Sequence, residues 1–192
     1  ALVIAALRRR LANPALPARL RALADCAPAS APVSLTLALA PGATDWLAAL
    51  PASGPFWYQA RPAQELFRLG IGHALQVGSA GPHRFAALDN AFAGLAGAWR
   101  HNAPPLAFCG FAFDEQNQAP PANALLAIPA ILLEARQGRC QAILSTTAEN
   151  IPQAVAGWQR LLSSPAPQTD FHLLPTRGHA LADRAWIARV RA

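Results

Sequence analysis

The chain has 192 residues, 53% of them hydrophobic, and a formal charge of +6 at pH 7. A chain of this size buries roughly 70% of its unfolded surface, so it needs neither disulfides nor a structural metal to make a core. All 16 basic side chains are Arg and they are scattered, which reads as a compositional bias on a solvated surface rather than a nucleic-acid face.

The chain opens ALVIAALRRR, apolar before basic, the reverse of a secretory signal. Nowhere is there a run of about 20 apolar residues free of Pro and charge, so no membrane span is expected. Cys26, Cys109 and Cys140 form no CxxC pair. Reduced thiols and a cytoplasmic location follow as expectations. Met is absent even at position 1, which suggests a processed chain or a fragment.

Residues Ala1–Arg10 and Ala18–Ala24 read as helices split by Pro14 and Pro17. Val33–Ala40 alternates Val33, Leu35, Leu37 and Leu39, the period of a strand. Thr44 or Asp45 can cap a short helix carrying Trp46, Leu47 and Leu50. Phe56–Arg61, FWYQAR, is rich in strand formers and is broken by Pro62. Glu65–Val77 continues as a strand with a bend or bulge near Gly70 and Gly72. Pro82–Arg100 carries Phe85, Leu88, Phe92, Leu95 and Trp99 on one helical stripe, suited to packing on a sheet.

Phe108–Asp114, FCGFAFD, reads as a core strand with Cys109, Phe111 and Phe113 on one face and a flat Gly110–Ala112 face opposite. It runs into the polar loop Asp114–Pro121. Ala122–Glu134 and Arg139–Thr147 read as a hairpin turning at Gln137-Gly138. Pro129 places the first of these strands at an edge or a bulge. Ile151–Leu162 is amphipathic, with Ile151, Val155, Trp158, Leu161 and Leu162 inward, after a cap at Asn150. Ser163–Pro175 reads as a loop and Leu181–Val190 as the start of another helix. The pattern is that of an α+β domain, mostly antiparallel sheet with flanking helices. It divides into a helical lead-in over 1–32, sheet and helices over 33–180, and a helix start over 181–192.

The residue types that carry chemistry are present without the spacing that would assemble them. His73, His83, His101, His172 and His179 include no metal-binding pair at helical spacing. Ser145 with His172 or His179 and Asp170 or Asp183 lacks a nucleophile elbow. Asp114 and Glu115 are neighbours on a strand end and would point apart. Ser145, Thr146 and Thr147 read as strand formers rather than anion ligands. Cys109 and Cys140 read as core filler. No catalytic, cofactor-binding or metal-binding residue is therefore assigned.

Taken in order, seven segments resemble one family. They are DWLAAL (Asp45–Leu50), FWYQAR (Phe56–Arg61), LGIGHAL (Leu69–Leu75), HRFAALDNAF (His83–Phe92), FCGFAFD, AIPAILLE (Ala127–Glu134) and LSTTAEN (Leu144–Asn150). The series is similar to the N-terminal part of the chorismate-utilising enzymes, and most similar to isochorismate synthases of the menaquinone or siderophore branch.

The resemblance implies a sandwich of two mostly antiparallel sheets with helices outside. It also implies a Mg²⁺-dependent isomerisation of chorismate in the full-length protein. Water attacks C2, the C4 hydroxyl leaves, and an acid–base pair moves the protons. In the family these groups lie in the C-terminal half, one of them a Lys on a strand that follows a W-x-x-x-V-x-x-A helix. Trp186 and Val190 match the start of such a helix, and the chain contains no Lys. The expectation is an N-terminal fragment, inactive alone. Its partner would be the C-terminal catalytic part of the same polypeptide, and neither nucleic acid nor membrane is expected as a partner. The missing half would leave an exposed apolar sheet face or edge.

Overall fold

The computed structural model describes residues 2–40, 54–104, 106–112 and 123–163. The expected short helix near Trp46, the loop after Asp114 and everything beyond Ser163 lie outside the described residues.

Helices α1 (Leu2–Leu11) and α2 (Leu16–Leu23) open the chain. Pro17 does not split them. It sits in the first turn of α2, where its missing N–H would have had no helical partner anyway. The Asn13 side chain accepts the Ala15 N–H at 2.9 Å and so satisfies the turn between them. Three basic residues, Arg8, Arg9 and Arg10, close α1, where the helix end is negative. Arg8 also donates to the Leu162 carbonyl at 2.6 Å, at the end of the last described helix.

One sheet organises the described residues. Its strands are β1 (Pro32–Leu39), β2 (Phe56–Arg61), β3 (Leu66–Ser79), β4 (Arg100–His101), β5 (Phe108–Phe111), β6 (Ala124–Arg136) and β7 (Arg139–Thr147). Their order is β2-β3-β6-β7-β1-β4, with β5 pairing β6 beside β7. All pairs are antiparallel except β1 with β4. The hairpin β6–β7 turns on Gln137 (φ 49°) and Gly138 (φ 72°). Two left-handed residues in succession match the twist of the flanking strands.

β6 is central, which corrects the expectation of an edge strand at Pro129. β3 covers one side of β6 along its length. On the other side β5 pairs residues 124–127 and β7 pairs residues 131–136. Pro129 falls in the gap between these two partners, so its lost donor leaves that ladder intact. The other expectation for Pro129, a bulge, holds: His73 of β3 faces Pro129, and the register shifts between His73 and Leu75, with the extra residue on β3. Gly72 precedes it at φ +63° and donates its N–H to the Pro55 carbonyl.

Helices α3 (Arg84–Ala98) and α4 (Ile151–Ser163) pack on the sheet. The core joins Val3, Leu7, Leu11, Leu16 and Leu20 of α1 and α2 to Leu35, Ile71, Ile131 and Leu144 of the sheet and to Trp158 and Leu162 of α4. The helical N-terminal segment thus contributes to this core. On α4, Ile151, Ala154, Trp158 and Leu162 are buried, with Val155 and Leu161 half-buried against the same core. A second, small cluster joins Leu88 to Ala124 and Leu126, with Val77, Phe92, Leu95 and Ala107 around it.

Two expectations on the α3 stripe need correction. Phe85 is 48% exposed. Trp99 lies past the helix end in an extended conformation (ψ 124°) and is buried, with its indole N–H satisfied by Ser34 of β1.

Candidate functional site

The residues singled out in the sequence are dispersed by the fold. His83 precedes α3 and makes no capping bond with its side chain. His101 is exposed on β4. His172, His179, Asp114, Glu115, Asp170 and Asp183 lie outside the described residues.

Ser145 is buried on β7, opposite Ser34 of β1, with the two hydroxyls 2.8 Å apart. Trp99 Nε1 donates to Ser34 Oγ at 2.9 Å. Thr147 Oγ1 accepts from Asn150 Nδ2 at 2.7 Å, and Thr146 Oγ1 donates to the Thr147 carbonyl. These hydroxyls are spent on one another, on an indole and on a carbonyl. Their geometry is that of satisfied buried polar groups, as the strand reading of Ser145–Thr147 expected. Asn150 reaches back to Thr147 across a single 3₁₀ turn (Ala148–Asn150) before α4 begins.

The strand FCGFAFD is shorter and less buried than a core strand. β5 spans Phe108–Phe111, with Cys109 exposed and Phe111 55% exposed. Cys109 is therefore not core filler, whereas Cys140 is buried as expected. The physical reason is pairing. Among the described residues β5 bonds only to β6, and one face of it lies beside an open groove. That groove, of about 320 Å³, is lined by Phe85, Leu88, Asp89, Phe92, Cys109 and Leu126, among others. Phe85 and Phe111 meet edge to face at 5.2 Å.

The flat face of Gly110 does receive a close neighbour, but it is an aromatic ring rather than a backbone. A Cβ on Gly110 would lie 3.2 Å from Trp57 Cη2. Trp57 also stacks on Phe108 with centroids 5.5 Å apart and planes 16° apart. Its Nε1 donates to His73 Nε2 at 3.0 Å.

A polar ladder crosses the sheet at Gln59, Arg68, Glu134 and Gln141, which sequence reading missed. Arg68 Nε lies 2.6 Å from Glu134 Oε2, Arg68 Nη1 donates to Gln59 Oε1 at 3.0 Å, and Gln141 Nε2 donates to Glu134 Oε1 at 2.8 Å. Cross-strand register brings them together, since Gln59 faces Arg68, Arg68 faces Glu134 and Glu134 faces Gln141. The available signal was one basic and one acidic side chain inside apolar strand runs.

Glu134 is buried and both its oxygens are engaged. It is a paired carboxylate held between Arg68 and Gln141. Among the described residues no group of three or more His, Cys, Asp or Glu side chains could hold a metal ion.

No described helix is long and apolar enough to cross a membrane.

The family model "Chorismate binding enzyme" matches residues 21–185, most of the chain. The chain belongs to this family. Its fold is similar to that of MenF, the menaquinone-specific isochorismate synthase from Escherichia coli, with a TM-score of 0.52 at 18% identity. The likeness covers 81% of this chain and 35% of that enzyme, so the chain spans about a third of the chorismate-family structure it matches. No curated protein matches. The α+β fold with a mostly antiparallel sheet is the one the sequence implied. FWYQAR forms β2, LGIGHAL and AIPAILLE lie within β3 and β6, and LSTTAEN ends β7 and runs into the 3₁₀ turn, four of the segments that carried the resemblance.

Proposed function

We propose that this chain is the N-terminal part of an isochorismate synthase, acting in the cytoplasm. The chorismate chemistry and its Mg²⁺ would belong to a C-terminal catalytic part of the same polypeptide. The observation that carries the reading is the pair FWYQAR and LGIGHAL. They form adjacent antiparallel strands, with Phe56 opposite Ile71 and Arg61 opposite Leu66. This ordered pair favours the isochorismate type over other members of the chorismate-binding family. The likeness to about a third of MenF supports a role as one portion of a larger enzyme.

In this role the described residues form a scaffold. Arg68, Glu134 and their glutamine partners are mutually satisfied, and the buried hydroxyls are spent internally. Both sets are engaged within the sheet, as a structural role requires. Exposed Phe56 and Tyr58 lie on β2, which pairs only with β3 among the described residues. By contrast, Leu132 and Ile143 in the middle of the sheet are buried.

The test is a product assay with chorismate and Mg²⁺. The 192-residue chain should give no isochorismate, and the product of its whole reading frame should give isochorismate alone. Turnover by the 192 residues would overturn the division of labour. Anthranilate, aminodeoxychorismate or salicylate from the whole product would move the assignment elsewhere in the family. If the reading frame adds no catalytic part, a non-catalytic binding or scaffold module becomes the reading.

A further inference from the structure

We infer that His73 is an acid-sensitive latch on Trp57, and that only the neutral imidazole holds the indole ring across the sheet. An indole nitrogen can donate a hydrogen bond and cannot accept one. The 3.0 Å contact from Trp57 Nε1 therefore requires an unprotonated Nε2 on His73. The proton of the neutral ring then sits on Nδ1, where Gln76 Oε1 lies 2.6 Å away as its acceptor. Both ring nitrogens are thereby assigned by their partners. In the imidazolium both nitrogens carry protons. Nδ1–H keeps Gln76, while Nε2–H is brought against the indole N–H and that bond is lost.

The latch has a mechanical setting. Trp57 belongs to β2, which pairs only with β3 among the described residues, and β5 pairs only with β6. Trp57 bridges these two strands by stacking on Phe108 and covering Gly110. His73 sits at the bulge of β3, opposite Pro129 of β6. The ring that ties β2 to β5 is thus anchored where β3 is least regular.

The neighbouring charges do not duplicate this role. On β3 the nearest is Arg68, which is occupied by Glu134 of β6 and by Gln59. β2 contributes Arg61, which is exposed. β5 contributes the exposed thiol of Cys109, and α4, which reaches Gly72 through Leu161, contributes exposed Arg160. None of them bonds to His73, whose hydrogen bonds go to Trp57 and Gln76.

The indole N–H resonance of Trp57 reports the bond directly. It is assigned by its loss in Trp57→Phe and followed from about pH 8 to pH 5, the range in which histidines change charge. The expected result is movement with the same midpoint as the ring protons of His73. In His73→Gln, whose side-chain oxygen accepts at any pH, the resonance should stay fixed. A double-mutant cycle of Trp57→Phe and His73→Ala, each of which removes one partner of the bond, gives a second readout. It should show a coupling of about fivefold in the unfolding equilibrium at pH 8, the size of one hydrogen bond, shrinking toward onefold at pH 5. An indole resonance that does not move in the native protein, or that moves equally in His73→Gln, overturns the latch. A coupling unchanged between the two pH values does the same.

Discussion

The two flanks of the sheet are held in different ways. Beneath α1, α2 and α4 the core is continuous, and Leu7, Leu20, Ile131, Leu144, Trp158 and Leu162 are each at most 2% exposed. Around α3 and β5 the core shrinks to Leu88, Ala124 and Leu126 with half-buried neighbours, and Phe85 and Phe111 stand in solvent. The contrast shows how burial depends on covering layers rather than on local hydrophobicity. FCGF is as apolar as the strands of the first flank, yet among the described residues it has one strand partner and lies beside an open groove. A well-covered strand gains area removed from water along its whole face, at roughly 25 cal/mol per Å². An edge strand gains much less of it.

Core truncation should expose this difference most clearly. Trp158→Ala removes a buried indole and leaves the Ser145 carbonyl without its 3.1 Å donor. The expected loss is ~3–5 kcal/mol, measured by urea unfolding. Leu88→Ala in the small cluster should cost about 2 kcal/mol, the lower end for a buried leucine, because its open surroundings can close over the gap. Equal losses would erase the distinction between the flanks.

The junction between them offers a sharper probe. A Cβ on Gly70 would lie 2.8 Å from Pro129 Cγ and 3.2 Å from Phe108 Cε2. The pyrrolidine is rigid and the phenyl is pinned under Trp57, so neither moves cheaply. Gly70→Ala should therefore cost ~1–3 kcal/mol by overpacking. It should also disturb the Trp57–Phe108 stack, seen as a change in near-ultraviolet circular dichroism. A neutral outcome would mean that β5 yields freely.

The smallest effect is a difference in rate rather than in stability. A thiol reagent under native conditions should label Cys109 and Cys26, both exposed, while Cys140 waits for unfolding. Mass spectrometry of the labelled peptides checks the order. Protection of Cys109 equal to that of Cys140 would show β5 to be covered after all.

Much of the fold was legible because its signals are local. The alternation of Val33, Leu35, Leu37 and Leu39 gave β1, the Gln137-Gly138 pair gave the hairpin turn, and the spacing of Ile151, Trp158 and Leu162 gave α4. Misreadings came where a local signal has two tertiary meanings. Pro129 in a strand does mark an irregular position, opposite the bulge of β3, but the strand is central and Pro129 falls in the gap between two of its partners. Trp99 continues the helical stripe of α3 by spacing, yet it lies past the helix end with its indole N–H on Ser34. The candidate chemistry was harder. Arg68 and Glu134 are 66 residues apart, and no pattern within either strand specifies the register that joins them.

By itself, the sequence determined the class of element at most positions and the order of segments that marks the chorismate-binding family. Side-chain periodicity and turn chemistry are properties of neighbouring residues, so they survive without knowledge of the fold. Only the tertiary structure decided that FCGF is a half-exposed strand, that Trp57 closes over it, and that the Trp57 indole N–H meets His73. Those facts depend on which strand lies beside which and on what covers them, and the covering residues come from distant parts of the chain.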